Sequence, residues 1–107
     1  MSHKMDIGRI EHRAFGQLAT LKAGDQPLRR FTAQEAEILA RALTAVAEGK
    51  SAEDRIFMSP IASDYEFEAV AGAGGATVSA PGAADVFLDS AAMLDLAAGL
   101  RGAFGRG

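Results

Sequence analysis

Thr32-Ala33-Gln34-Glu35, followed by Ile38, Leu39, Ala42, Leu43 and Val46, sets the strongest limit on what this chain can become. The Thr32 hydroxyl is placed to accept from the Glu35 backbone N–H while the Glu35 carboxylate reaches back, which is a capping box. Beyond it apolar residues recur at intervals of three and four. Glu37 and Arg41 stand i,i+4 on the other face, and Gly49 with Lys50 closes the run, so a helix over 33–48 is expected. Such a stripe has to be buried, and in a chain of 107 residues its partner is the rest of the same chain. One domain over residues 1–107 follows, with roughly 65% of the extended chain's surface buried on folding. The ends, about 1–5 and 102–107, are expected to fray, the latter because Gly99, Gly102 and Gly105 weaken a helix end.

After Gly49 the period changes. Arg55 to Ser59 reads as a short strand stopped by Pro60. Asp64-Tyr65-Glu66-Phe67-Glu68-Ala69-Val70 alternates charged with apolar residues, the pattern of a strand with one wet and one buried face. Gly72, Gly74 and Gly75 then turn the chain into a second strand at 76–80, making a hairpin. Asp85 to Leu88 supplies a further strand, and Asp89 or Ser90 caps a last helix that buries Met93, Leu96, Leu100 and Phe104.

The first segment is less clear. Ile7, Ile10, Ala14, Phe15, Leu18 and Leu21 fall at helical spacing, which predicts a helix from Asp6 to Lys22 despite Gly8 and Gly16 inside it. The competing reading makes Phe15–Leu21 and Leu28–Phe31 strands around an Ala23-Gly24-Asp25 turn. With the helix preferred, the fold class is α+β: two N-terminal helices, a small antiparallel sheet of three or four strands containing a hairpin, and a C-terminal helix packed on one face. No internal repeat is visible. A sheet this small leaves open edges, which makes a homodimer the expected state.

Composition excludes several kinds of chemistry. There is no cysteine, hence no disulfide and no thiolate nucleophile or ligand. No apolar run approaches the ~20 residues of a membrane-spanning helix, and residues 1–6 lack the apolar core of a signal peptide, so a cytoplasmic protein is expected. Wealth in Ala, Gly and Arg with no Asn fits a GC-rich, bacterial-type genome. Gly72, Gly74 and Gly75 are followed by Thr77-Val78-Ser79, a strand and not the helix that a phosphate-binding loop requires. Ser59 and Ser63 have only His3 and His12 as possible bases, His3 near the terminus and His12 on the polar side of the first segment. No cofactor or metal motif is present.

Charge is unevenly spread. Residues 1–30 hold six bases against three acids, a net of +3; residues 31–107 hold five bases against eleven acids, a net of −6. Arg9 and Arg13, i,i+4 on the expected helix, together with Arg29 and Arg30, form a candidate anion grip. Asp64, Glu66 and Glu68, about 6.6–7 Å apart on one face of the expected strand, form a candidate acidic stripe for a basic partner. The reading that follows is a non-enzymatic protein-binding or regulatory module acting as a homodimer. Two others stay open. One is a nucleic-acid-related protein, gripping phosphates through the arginines or imitating them with the acids. The other is a small enzyme with Asp or Glu as base and Arg as anion clamp.

Overall fold

The computed structural model describes residues 5–50, 54–63, 65–72 and 74–104. Asp64 and the chain ends at 1–4 and 105–107, where fraying is expected, lie outside them. Three strands come first: β1 (Met5–His12), β2 (Gly16–Ala23) and β3 (Arg29–Phe31). They are followed by α1 (Ala33–Ala47), by β4 (Arg55–Met58), β5 (Phe67–Gly72), β6 (Gly75–Ser79) and β7 (Val86–Asp89), and by α2 (Ser90–Gly102). The strands form two antiparallel sheets, β1-β2-β3 and β4-β5-β6-β7. The class is α+β, as expected, but the helices are not both N-terminal.

The first segment is a hairpin, not a helix. Ile7 pairs with Leu21 and Ile10 with Leu18 across β1 and β2, and the chain reverses through Arg13-Ala14-Phe15 into Gly16 at φ 75°. That left-handed backbone favours glycine, which explains Gly16 inside an apolar run. The turn is held by His12, whose Nδ1 accepts from the Ala14 and Phe15 N–H groups at 3.0 and 3.3 Å. Helical spacing misled because Leu18 and Leu21 are each fully buried yet point to opposite faces of β2, so its apolar residues are not confined to alternate positions. The competing strand reading is close to the observed β2 and β3.

The other expected elements appear with shifted ends. The capping box at Thr32 and Glu35 is complete. Past the end of α1, Gly49 at φ 71° lets its N–H bond Val46 O while the Lys50 N–H bonds Ala45 O, which satisfies two terminal carbonyls. The hairpin strand begins at Phe67 rather than 64, and its partner runs 75–79. Asp89 is the cap of α2, accepting from the Ala92 N–H at 2.8 Å.

One core joins both sheets and both helices. It contains Leu21 and Phe31 from the first sheet, Phe67, Val78 and Leu88 from the second, and Leu39, Leu43, Leu96 and Leu100 from the helices. Phe31 and Phe67 meet edge to face with centroids 6.4 Å apart, bridging the sheets.

A quasi-repeat underlies the fold. Each sheet's last strand enters its helix through a single cap residue, Thr32 or Asp89. Each helix buries the fourth, seventh, eighth and eleventh residues after that cap: Ala36, Leu39, Ala40 and Leu43 in α1, and Met93, Leu96, Ala97 and Leu100 in α2. The two stripes face one another, with Ala40 and Ala97 buried among them. In this correspondence β3 matches β7, β2 matches β6 and β1 matches β5, while β4 has no counterpart in the first sheet.

At its end α2 runs to Gly102, and Gly99 is a close-packing position: a Cβ there would collide with Ile7 Cδ1 of β1. No helix among the described residues is long and apolar enough to cross a membrane.

Candidate functional site

The four arginines do not converge. With residues 6–22 folded as a hairpin, Arg9 lies within β1 and Arg13 in the turn, so they are not neighbours on a helix face. Arg9 donates from Nη1 to Ala103 O at 3.1 Å, tying β1 to the end of α2. Arg30 is half-buried on β3, opposite Thr20, and both its backbone N–H and its carbonyl bond the Ser63 hydroxyl. That assignment gives Ser63 a structural role along the β3 edge. Arg30 Nε is buried without a hydrogen-bond partner.

Arg29 is fully buried. Its Nε donates to Glu66 O at 3.1 Å, its Nη1 to Gln26 Oε1 at 3.0 Å and its Nη2 to Ser79 O at 3.0 Å, and its guanidinium lies 5.3 Å from the Phe67 ring centroid. Gln26, also fully buried, donates from Nε2 to Val78 O at 2.8 Å and Ala84 O at 3.1 Å. Burial lowers the Arg29 pKa from its ordinary value, because the charged form is removed from water and these carbonyls and amide oxygen carry no full negative charge. The pair clamps the β2–β3 connection to the second sheet, and Arg29 has no N–H left facing solvent for an external anion.

The acidic residues are also divided. Glu66 precedes β5 and is exposed. Glu68 lies on β5 and pairs with Arg55 of β4 at 2.7 Å. Among the described residues no three His, Asp or Glu side chains gather as a metal-ligand group. An open groove of about 430 Å³ between β1 and α2, lined by Ile7, Gly8, Arg9, Gly99, Gly102 and Ala103, contains an arginine but no carboxylate.

What the register assembles instead is an outer face of the four-stranded sheet on which exposed apolar and polar side chains are mixed. Arg55, Val70, Thr77 and Phe87 lie in one row across all four strands, with Phe57, Glu68 and Ser79 in the next. Phe57 is 54% exposed, Val70 47% and Phe87 41%. The Arg55 guanidinium sits 5.4 Å from the Phe57 ring centroid. Exposed Glu66 and Asp85, close to the Phe57 end of the sheet, give this face an acidic rim. The alternation in Arg55–Met58 and Val86–Asp89 hints at it, but alternation does not say which strands stand side by side. The chain matches no protein-family model, no curated protein and no solved structure.

Proposed function

We propose that this chain is a non-enzymatic protein-binding or regulatory module, acting in the cytoplasm as a homodimer and engaging another protein through the outer face of its four-stranded sheet. The observation that supports this most is the exposure of Phe57, Val70 and Phe87 on the same face of that sheet. Three large apolar side chains are exposed on this one sheet face, Phe57 and Val70 on neighbouring strands and Phe87 beyond Thr77 on the far edge strand, which gives a partner separate apolar anchors among polar groups. The rim gives the partner its chemistry: apolar groups flanked by basic ones, matched to Glu66 and Asp85. The separated arginines favour this reading over a phosphate grip, since phosphate contacts need basic groups on one face.

The test is retention from nuclease-treated host extract by the tagged chain, washed at two salt concentrations and identified by mass spectrometry, beside a Phe57→Ser/Phe87→Ser variant. Both substitutions are at exposed strand positions and should cost about 1 kcal/mol each, so circular dichroism shows whether the variant keeps the native fold. A stoichiometric protein kept by the native chain and lost by the variant is expected. A partner retained equally by both, or recovery of the chain with only itself, would overturn the assignment of this face.

A further inference from the structure

We propose that β1 is the self-association edge: a second copy pairs antiparallel with it about a two-fold axis through Ile10, joining two three-stranded sheets into one of six strands. This rests on the reading of the chain as a homodimer and specifies where and how the copies meet.

Three observations carry it. The first is the edge itself. β1 is eight residues long and mostly exposed, contains no Pro or Lys, and pairs on its outer side with no strand among the described residues. The other sheet edges are short, β4 and β7 having four residues each and β3 three, and the β3 backbone is engaged by Ser63. Short edges discourage pairing and long ones invite it.

The second is the quasi-repeat. β1 corresponds to β5, and the side of β5 away from β6 is covered by β4. The first sheet lacks that fourth strand, so a second copy would occupy the equivalent place.

The third is register. In an antiparallel pair, residues directly opposite share a face. With the axis through Ile10, Arg9 of each copy, whose Nη1 donates to Ala103 O and leaves its other N–H groups for a partner, stands opposite Glu11 of the other, giving two opposed charge pairs. On the other face Ile10 meets Ile10, and His12 lies over Gly8, which has no side chain to obstruct the ring. Moving the axis to Arg9 sets arginine against arginine, and moving it to Glu11 sets glutamate against glutamate. An axis at Gly8 leaves Arg9 against Ile7 and Asp6 against Ile10. Only the Ile10 axis matches opposite charges, and Ile10, 38% exposed and sharing its face of the strand with Asp6, Gly8 and His12, gains an apolar neighbour there.

Five residue pairs make a small interface, so a dissociation constant of about 1–100 µM is expected. Sedimentation or light scattering over a concentration series should show a monomer–dimer equilibrium. Arg9→Glu and Glu11→Arg should each weaken it by about tenfold or more, since each sets like charges opposite at two places. Mixed in equal amounts, the two variants should recover dimer, because an all-acidic strand then meets an all-basic one. Circular dichroism on each variant shows that the fold is retained, and the mixing arm reports pairing independently of any shared loss of stability. Dimer that persists unchanged in both variants, or no recovery on mixing, would overturn this strand pairing while leaving self-association intact. A native chain monomeric to about 1 mM would overturn self-association itself.

Discussion

Gln26 and Arg29 are joined in the interior, amide oxygen to guanidinium at 3.0 Å, with both side chains fully buried. Together they donate to four backbone carbonyls, Glu66, Val78, Ser79 and Ala84, all in or beside the second sheet. The β2–β3 connection is thereby fastened to the second sheet by directional bonds as well as by apolar contact.

Arg29→Ala should therefore destabilise by about 3–5 kcal/mol, from orphaned acceptors and the space left by the side chain. Gln26→Ala should cost about 2–3 kcal/mol. Because the two share a bond and a pocket, the pair Gln26→Leu/Arg29→Met should cost less than the sum of its single substitutions: each single change strands the other residue's half of the shared bond, and the double change removes both halves. Urea unfolding of the cycle measures the coupling, and strict additivity would show that the clamp does not act as a unit.

Two glycines should respond differently to alanine. A Cβ on Gly75 would strike the backbone of β7 at Leu88 and Asp89, which cannot move without breaking the β6–β7 ladder. Gly75→Ala should cost about 3 kcal/mol. A Cβ on Gly99 meets only the tip of Ile7, a side chain that can rotate, and alanine regains about 1 kcal/mol of helix propensity. Gly99→Ala should fall within about 1 kcal/mol of the native chain, and Gly99→Ala with Ile7→Val should be more stable than Gly99→Ala alone. Denaturant midpoints for the three variants decide the matter.

The contrast between legible and illegible parts has a physical basis. The α1 helix could be read because Thr32, Glu35 and the stripe to Val46 lie within one local segment. The β5–β6 hairpin could be read because alternation around Phe67 and Ala69 meets glycines at 72, 74 and 75. Residues 6–22 could not, since Leu18 is buried on the face of β2 opposite to Ala19 and Leu21, and the step from Leu18 to Leu21 then imitates a helical one. Arg29 looked like a surface base because its acceptors, Glu66 O and Ser79 O, lie 37 and 50 residues away. The Phe57, Val70 and Phe87 face is likewise a product of strand register, invisible until four strands are placed side by side.

Acid should weaken the α1–α2 contact through Glu37. Its carboxylate accepts from Arg101 Nε and Nη2 at 3.1 and 3.3 Å and pairs with Arg41 at 3.4 Å. The Arg101 hydrogen bonds, then the nearby positive charges, hold its pKa below the ordinary 4.5. A carboxyl lowered on folding contributes stability above its unfolded pKa and loses it as pH falls through the folded one. The urea midpoint should thus fall between about pH 5 and pH 3 more steeply in the native chain than in Glu37→Gln. The difference should shrink at about 1 M salt, because the pair is exposed and screened. Identical acid profiles would remove Glu37 from the account.

The two caps make a matched pair on which the quasi-repeat can be tested. Thr32 and Asp89 each accept from the N–H three residues on, at 3.2 and 2.8 Å, and each sits directly between a sheet strand and the first turn of a core helix. Asp89 adds a negative charge at a helix N-terminus, whereas Thr32 is reinforced by Glu35, whose other oxygen also accepts from the Ile61 N–H at 3.0 Å. Thr32→Ala and Asp89→Ala should each cost about 1 kcal/mol. Glu35→Ala should cost more than a lone capping-box partner would, about 1–2 kcal/mol, because it also releases the segment leading toward β5. The caps lie on different helices with no shared bond, so Thr32→Ala/Asp89→Ala should be additive within about 0.5 kcal/mol. A larger coupling would mean that the facing Leu39–Leu43 and Leu96–Leu100 stripes transmit fraying from one helix to the other, and hydrogen exchange of the α2 amides in Thr32→Ala would then show it directly.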